Sequence, residues 1–265
     1  IIAAKFVAPY RLSGRKGKND AADAQAICEA VQRPHMRFVP IKSEDAQGRL
    51  CVHRVRQGLV EARTAMINRI RGLLSEFGYV LPLKADVVRR QAGQCLEDLP
   101  GWANLAIGDC LSELHHLDER IDQYDKHIAQ MAKSDERSQK LMAMPGIGEK
   151  TATALLSSIG NGHDFKCGRQ LAAWLGLVPG QYSSGGKQRL GRITKAGDSY
   201  LRNLLILGAR AVLVASKNKT DRLSRWAQSV EQRRGYWKAV VAIAAKNARM
   251  AWAMLSKGEA FKPMS

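Results

Sequence analysis

Ser183 and Ser184 stand directly before Gly185 and Gly186, and Lys187, Arg189, Arg192, Lys195 and Arg202 follow closely. A serine that attacks a phosphodiester needs a loop that exposes its oxygen. It also needs cations that stabilise the charge gathering on the transferring phosphoryl group. This segment supplies both. Ser183 and Ser184 are therefore candidate catalytic nucleophiles, and the five cations are candidate phosphate contacts. The same residues also describe a passive flexible turn. They do not form a Walker A loop, because Gly-Gly-Lys-Gln lacks the GxxxxGK[ST] spacing.

A second constellation lies at residues 141–160, LMAMPGIGEKTATALLSSIG. Pro145 is expected to end one helix, Gly146 and Gly148 to make a tight turn with positive φ, and Thr151 to lie in the first turn of the next helix. This is the pattern of a helix-hairpin-helix. It presents free N–H groups at a helix N-terminus, where the dipole favours an anion. Gly146, Gly148, Lys150 and Thr151 thus join the candidate nucleic-acid-binding residues, for phosphate contact rather than base reading. A plain αα-hairpin whose glycines only make the turn is the alternative.

Asp20 and Asp23 are three residues apart at the start of an expected helix. Both carboxylates can lie on one face and share a divalent cation, as two-metal phosphoryl transfer requires. They are candidate catalytic residues and metal ligands, although two are too few for a whole site. An N-cap followed by a dipole-favoured first-turn Asp would look the same.

The chain of 265 residues carries 42 Lys and Arg against 24 Asp and Glu, a formal net charge of +18. Residues 141–265 hold 20 of those cations and only 6 of the carboxylates, so a polyanionic partner is expected to meet that half. A solvated basic face is the plainer reading. No run approaches the ~20 apolar residues that span a bilayer. Cys28, Cys51, Cys95, Cys110 and Cys167 are scattered, without zinc-ligand spacing, and read as reduced packing residues. No signal peptide is visible, so a cytoplasmic location is expected. The opening Ile-Ile-Ala-Ala, lacking an initiator Met, reads as a piece whose front is missing.

The elements that must hold these groups are mainly helical. IIAAKFVA fits a short buried strand, followed by a basic loop, RLSGRKGKN. Asn19 or Asp20 can cap an Ala-rich helix that Pro34 ends, and MRFVPIK reads as extended before Ser43 caps the next helix. One long helix is expected from about Glu44 to Phe77, with Val55, Leu59, Ala62, Met66, Ile70, Leu73 and Phe77 as its apolar stripe and Gly78 as its stop. Another near 109–135 carries Leu111, Leu114, Leu117, Ile121, Tyr124, Ile128 and Met131. Together they make an antiparallel arm, a coiled-coil dimer contact or two core helices of one bundle. Beyond 141, short helices and Gly-rich turns lead to basic amphipathic helices near 199–216 and 236–256.

Three ordered segments resemble the insertion-sequence transposases of family 110 and its 1111 subgroup, over nearly the whole chain. KNDAADAQAICEAVQRPHMRFVPIKS is similar to the end of their RuvC-like nuclease domain. LMAMPGIGEKTATALLSSIG is similar to their helix-hairpin-helix segment, and LAAWLGLVPGQYSSGGKQRLGRITKAGDSYLRNLLILGARAV to their serine-bearing domain. The resemblance implies residues 1–43 as the C-terminal part of an RNase H-like (RuvC-like) α/β domain and 44–140 as a long-helix, coiled-coil region. Residues 141–265 would then be an α-helical domain with a helix-hairpin-helix. Asp20 and Asp23 match the last two acidic residues of the family's DEDD quartet; the first Asp and the Glu have no counterpart here, so this piece alone is expected to be inactive. The serine of the family maps to Ser184, or to Ser183 on a one-residue shift. By resemblance, the intact enzyme uses Mg²⁺ and a phosphoserine link to DNA, is guided by a noncoding bridge RNA, and assembles as a homo-oligomer through the long helices. A non-catalytic helix-hairpin-helix binding protein and a metal-only nuclease or junction resolvase remain the competing readings.

Overall fold

The structure is a computed structural model that describes residues 1–11, 19–36 and 38–262. Most of the basic loop expected before Asn19 lies outside the described residues. Contacts cluster in two units, Ile1–Glu44 and Asp45–Ser265.

The first unit contains α1 (Ala4–Val7), a 3-10 turn over Ala8–Tyr10 and α2 (Asp20–Val31). The opening apolar run is therefore not the expected strand. Only Ile2 makes a bridge, antiparallel to Phe38, and α1 buries no residue. A strand needs a ladder of partners, and Pro9, which has no N–H to give one, starts a 3-10 turn instead. Asn19 caps α2, its side-chain oxygen accepting from the Ala22 N–H at 2.8 Å. The helix buries Ala26 and Ala30. Among the described residues of this unit there is no sheet of the RNase H-like kind, only the Ile2–Phe38 bridge.

The second unit opens with an arm made of α3 (Glu44–Glu76), α4 (Ala85–Gln91), a 3-10 turn at Leu96–Asp98 and α5 (Gly101–Ser134). Pro100 sets the start of α5, several residues earlier than the stripe alone suggested. Leu59 packs with Leu117 and Ile121, and Ile67, Ile70 and Leu74 with Val88, Ile107 and Leu114. Ion pairs join Arg49 to Asp135 at 3.2 Å, Arg56 to Asp125, and Arg63 to Asp118 at 3.2 Å. Residue numbers fall along α5 as they rise along α3, so the pair is antiparallel within one chain. The buried stripe of α3 differs from the expected one: His53, Ile67 and Leu74 are buried, whereas Val55 and Phe77 are exposed.

The rest of the unit is α6 (Glu136–Met142), α7 (Glu149–Ile159), α8 (Gly168–Trp174), β1 (Pro179–Gln181), β2 (Leu190–Ile193), α9 (Ser199–Ser216), α10 (Arg222–Arg234) and α11 (Tyr236–Lys257). Helix α11 is the hub, packing against α8, α9 and α10. Leu155, Leu171, Leu201, Leu205, Leu213 and Ile243 are fully buried in this core, each stabilising the fold by roughly 1.5–3 kcal/mol. Asp198 caps α9 through the Leu201 N–H at 3.0 Å, and Asp221 caps α10 through Leu223 and Ser224 at 3.0 Å each. Helix α10 has no counterpart in the sequence reading, because its charges mask a short buried stripe of Leu223, Ala227 and Val230. The chain is mainly α, as expected, and β1 and β2 form the one sheet among the described residues.

Candidate functional site

The segment expected to be a Ser-Gly loop is the tip of a β-hairpin. Strands β1 and β2 pair antiparallel with Pro179 opposite Ile193 and Gln181 opposite Leu190. Beyond them the Tyr182 N–H donates to the Arg189 carbonyl at 2.9 Å and the Lys187 N–H to the Ser184 carbonyl at 3.1 Å. Gly185 and Gly186 between them take φ +56° and +75°. Two successive positive φ values are what a two-residue type I′ turn demands, and glycine meets that demand without steric cost. Every residue from 181 to 190 is exposed. The two serines differ. Ser183 Oγ accepts from Gln181 Nε2 at 2.9 Å and from the Arg189 N–H at 3.3 Å. Among the described residues, Ser184 Oγ has no such partner, and the residue faces Lys187 across the tip.

The predicted cations divide in two. Lys187, Arg189, Arg192 and Lys195 are exposed and, among the described residues, form no ion pair. Arg202 is committed to the fold: its Nη1 donates to the Ala196 carbonyl at 2.8 Å and the Leu175 carbonyl at 3.2 Å, clamping the base of the hairpin. That base is tight. A Cβ on Gly197 would stand 1.9 Å from the Trp174 carbonyl oxygen, and Lys195, at φ +53°, donates its N–H to Gly176 at 3.2 Å.

The 143–148 turn behaves differently. Gly146 has the expected positive φ, +81°, but a Cβ there would lie 2.7 Å from both the Gly208 carbonyl oxygen and Val212 Cγ2. The turn is pressed onto α9, and Asn247 Nδ2 donates to the Pro145 carbonyl at 3.0 Å. Gly148 departs from the expectation of positive φ: at φ −99° and ψ −177° it is the extended N-cap residue of α7. Thr151 lies in the first turn as expected but is 5% exposed. Lys150 Nζ is 2.9 Å from Asp125, and Glu149 adds a carboxylate to the same helix end. Of these four residues Gly148 is exposed, Gly146 and Lys150 are partly so, and Thr151 is buried.

Behind Lys150 lies a polar cluster that sequence reasoning missed. His53, 1% exposed, stands 3.0 Å by Nδ1 from the Tyr200 hydroxyl and 3.0 Å by Nε2 from Thr153 Oγ1. Thr153 spends its proton on the Glu149 carbonyl at 2.7 Å, so its oxygen accepts, Nε2 carries the imidazole proton, and Nδ1 accepts from Tyr200. Burial, and then the charge of Arg56, push the His53 pKa down to about 4. Burial alone would raise the Asp125 carboxyl, but hydrogen bonds from Arg56 and Lys150 hold it below the usual carboxylate range. Nothing in the spacing singles out His53, whose partners lie 147 and 100 residues away.

Asp20 and Asp23 are in the first unit, both solvent-accessible at the start of α2, and Asp23 pairs with Arg11 Nε at 2.6 Å. Among the described residues no group of three or more His, Cys, Asp or Glu is placed to hold a metal ion. Two carboxylates, one of them ion-paired, fall short of the octahedral oxygen set that Mg²⁺ demands. Among the described residues no helix is long and apolar enough to cross a membrane.

The helical second unit thus carries an exposed, serine-tipped basic hairpin. A family model described as "Transposase IS116/IS110/IS902 family" matches residues 138–225, and a second, described as a transposase and named for the DEDD type, matches 2–78. The chain is similar to a "Probable family 20 transposase" of Pseudomonas aeruginosa, with 46% identity covering 99% of this chain and 78% of the relative. It is 42% identical to the transposase for insertion sequence element IS1111A of Coxiella burnetii, covering 99% and 72%. The transposase for insertion sequence element IS1328 of Yersinia enterocolitica is 36% identical, covering 98% and 78%. The chain belongs to the IS116/IS110/IS902 family of transposases.

Proposed function

We propose that this transposase breaks and rejoins DNA through Ser184. The observation that carries the reading is the hairpin tip: an exposed serine whose Oγ has no hydrogen-bond partner among the described residues, opposite Lys187 and followed by exposed Arg189 and Arg192, which form no ion pair among those residues. Ser184 Oγ attacks a backbone phosphorus, forming a Ser–O–P bond as the bond from phosphorus to one sugar oxygen breaks. The serine proton passes to water or a base of the assembled site, and the departing sugar oxygen takes up a proton. A sugar hydroxyl of a second strand then attacks the phosphoserine, releasing Ser184. One phosphodiester replaces another, so no energy-rich cofactor is consumed. The cations at the tip stabilise the charge on the phosphoryl oxygens in both steps.

Asp20 and Asp23 belong to the same proposal as two donors of a magnesium site. A guide RNA and a homo-oligomer are further parts of it, supported by the cation surplus and the long antiparallel arm. Arg202, Gly146 and Thr151 are assigned to holding the scaffold, because Arg202 is already bonded, Thr151 is buried and Gly146 has no room for a side chain against α9. The test is covalent capture. The full-length protein, with Mg²⁺ and DNA bearing the ends of its element, is expected to give an adduct that survives denaturation in the parent and in Ser183→Ala but not in Ser184→Ala. Cleavage that persists unchanged in Ser184→Ala would overturn the serine mechanism in favour of metal-only hydrolysis. Binding without cleavage or adduct would favour a non-catalytic nucleic-acid-binding protein.

A further inference from the structure

The last turn of α10 and the first turn of α11 meet at Gly235, and Arg210 of α9 reaches the same corner. Trp237 there is 64% exposed. Its ring is held in place: the Arg210 guanidinium lies 5.8 Å from the ring centroid, and Tyr236 packs against it edge-on at 5.2 Å and 80°. Tyr236, itself packed on the core, accepts a long hydrogen bond from Arg210 Nε at 3.4 Å. Arg233 and Arg234 in the last turn of α10 and Lys238 in the first turn of α11, all within four residues of Trp237 in the chain, are exposed, and the first turn of α11 carries no acidic residue. Among the described residues neither Arg210 nor any of these three cations forms an ion pair, and Glu231 pairs with none of them.

An open aromatic face amid unpaired cations is suited to one kind of partner. Inside a duplex the base faces are already covered by stacking, so an indole has nothing to engage except on an unpaired base, while cations serve phosphates in either form. A preordered ring also loses little freedom when a base lands on it. The geometry points to a platform for single-stranded polynucleotide, one base stacking on Trp237 and its flanking phosphates lying on Arg233, Arg234 and Lys238. It rests on the reading that this chain works on nucleic acid, and strand exchange must pass through unpaired bases.

The probes are labelled oligothymidylate, oligouridylate of equal length, and a duplex, compared by fluorescence anisotropy at one salt concentration. Trp237→Ala is expected to weaken single-strand binding about tenfold and to leave duplex binding within about twofold, while Trp237→Phe, which keeps a ring, recovers most of the loss. Equal loss on both single strands supports the shared chemistry, and loss confined to one names its source as DNA or RNA. Parent-like single-strand affinity in Trp237→Ala, or an equal loss on duplex, overturns the platform. An unchanged Trp237→Ala together with an adduct lost in Ser184→Ala therefore sinks the platform alone, whereas a parent that binds none of the probes sinks the reading beneath both.

Discussion

The turn at 143–148 and the tip at 183–187 share their ingredients, glycines at positive φ beside lysine at the edge of a basic half, yet the fold uses them in opposite ways. At Gly146 the missing side chain is filled by the backbone of another helix, since a Cβ would come within 2.7 Å of the Gly208 carbonyl oxygen. At Gly185 and Gly186 a Cβ would meet nothing within 4 Å. The lysines follow suit: Lys150 is neutralised by Asp125, while Lys187 is exposed and, among the described residues, forms no ion pair. A positive φ explains why glycine is needed in both places. What occupies the space beside it separates a joint from a working surface.

The sharpest way to break this contrast is to add one methyl group on each side. A Cβ on Gly208, in the interior of α9, would stand 1.9 Å from the Gly146 carbonyl oxygen, so backbone must move. Gly208→Ala is expected to destabilise the second unit by about 3 kcal/mol, the upper range for overpacking. Gly186→Ala pays only for a positive φ, on the order of 1 kcal/mol, at an exposed tip. Denaturant midpoints at constant m decide it. Equal losses would mean that the joint is no tighter than the tip.

What could be read in advance follows the same division. Helix-forming stretches, the Asn19 cap, the positive φ of Gly146 and the clustering of Ser183, Ser184 and cations depend on neighbours in the chain, and local chemistry reports them. The commitments of Lys150 to Asp125, Arg202 to the Ala196 and Leu175 carbonyls, and His53 to Tyr200 and Thr153 are made by side chains that only packing brings together. A lysine or arginine in a basic run reads as free until its partner is placed. The extended backbone of Gly148 is not legible in the sequence for a related reason: glycine is free to take either sign of φ, and only the N-cap position it holds here selects the β region.

The sealed side should also answer to pH where the tip does not. His53 has its pKa lowered from 6.5 to about 4 in the folded chain, so the unfolded chain binds more protons between those values. Stability must therefore rise with pH across that window and be lost as pH falls, by about 3 kcal/mol if the shift is fully expressed. Thermal unfolding from pH 7 to 4 is expected to show a shallower slope in His53→Gln, at some cost in stability at pH 7, while Ser184→Ala keeps the parent slope. A parent slope in His53→Gln would show that carboxylates such as Asp125, not the imidazole, set the acid limit.

The smallest change asks whether Gly148 belongs to the joint or to its edge. It is exposed, extended at φ −99°, and a Cβ would meet nothing within 4 Å. Serine is at least as good an N-cap as glycine and loses less freedom on folding, so Gly148→Ser is expected to be neutral or stabilising by up to about 0.5 kcal/mol. A phosphate at the N-terminus of α7 would compete with that serine oxygen for the same N–H groups. If Gly148→Ser keeps parent stability but binds duplex more weakly at matched salt, the edge of this turn touches the backbone of DNA in addition to sealing the core. Unchanged binding leaves the serine-tipped hairpin as the phosphate-facing member of the pair.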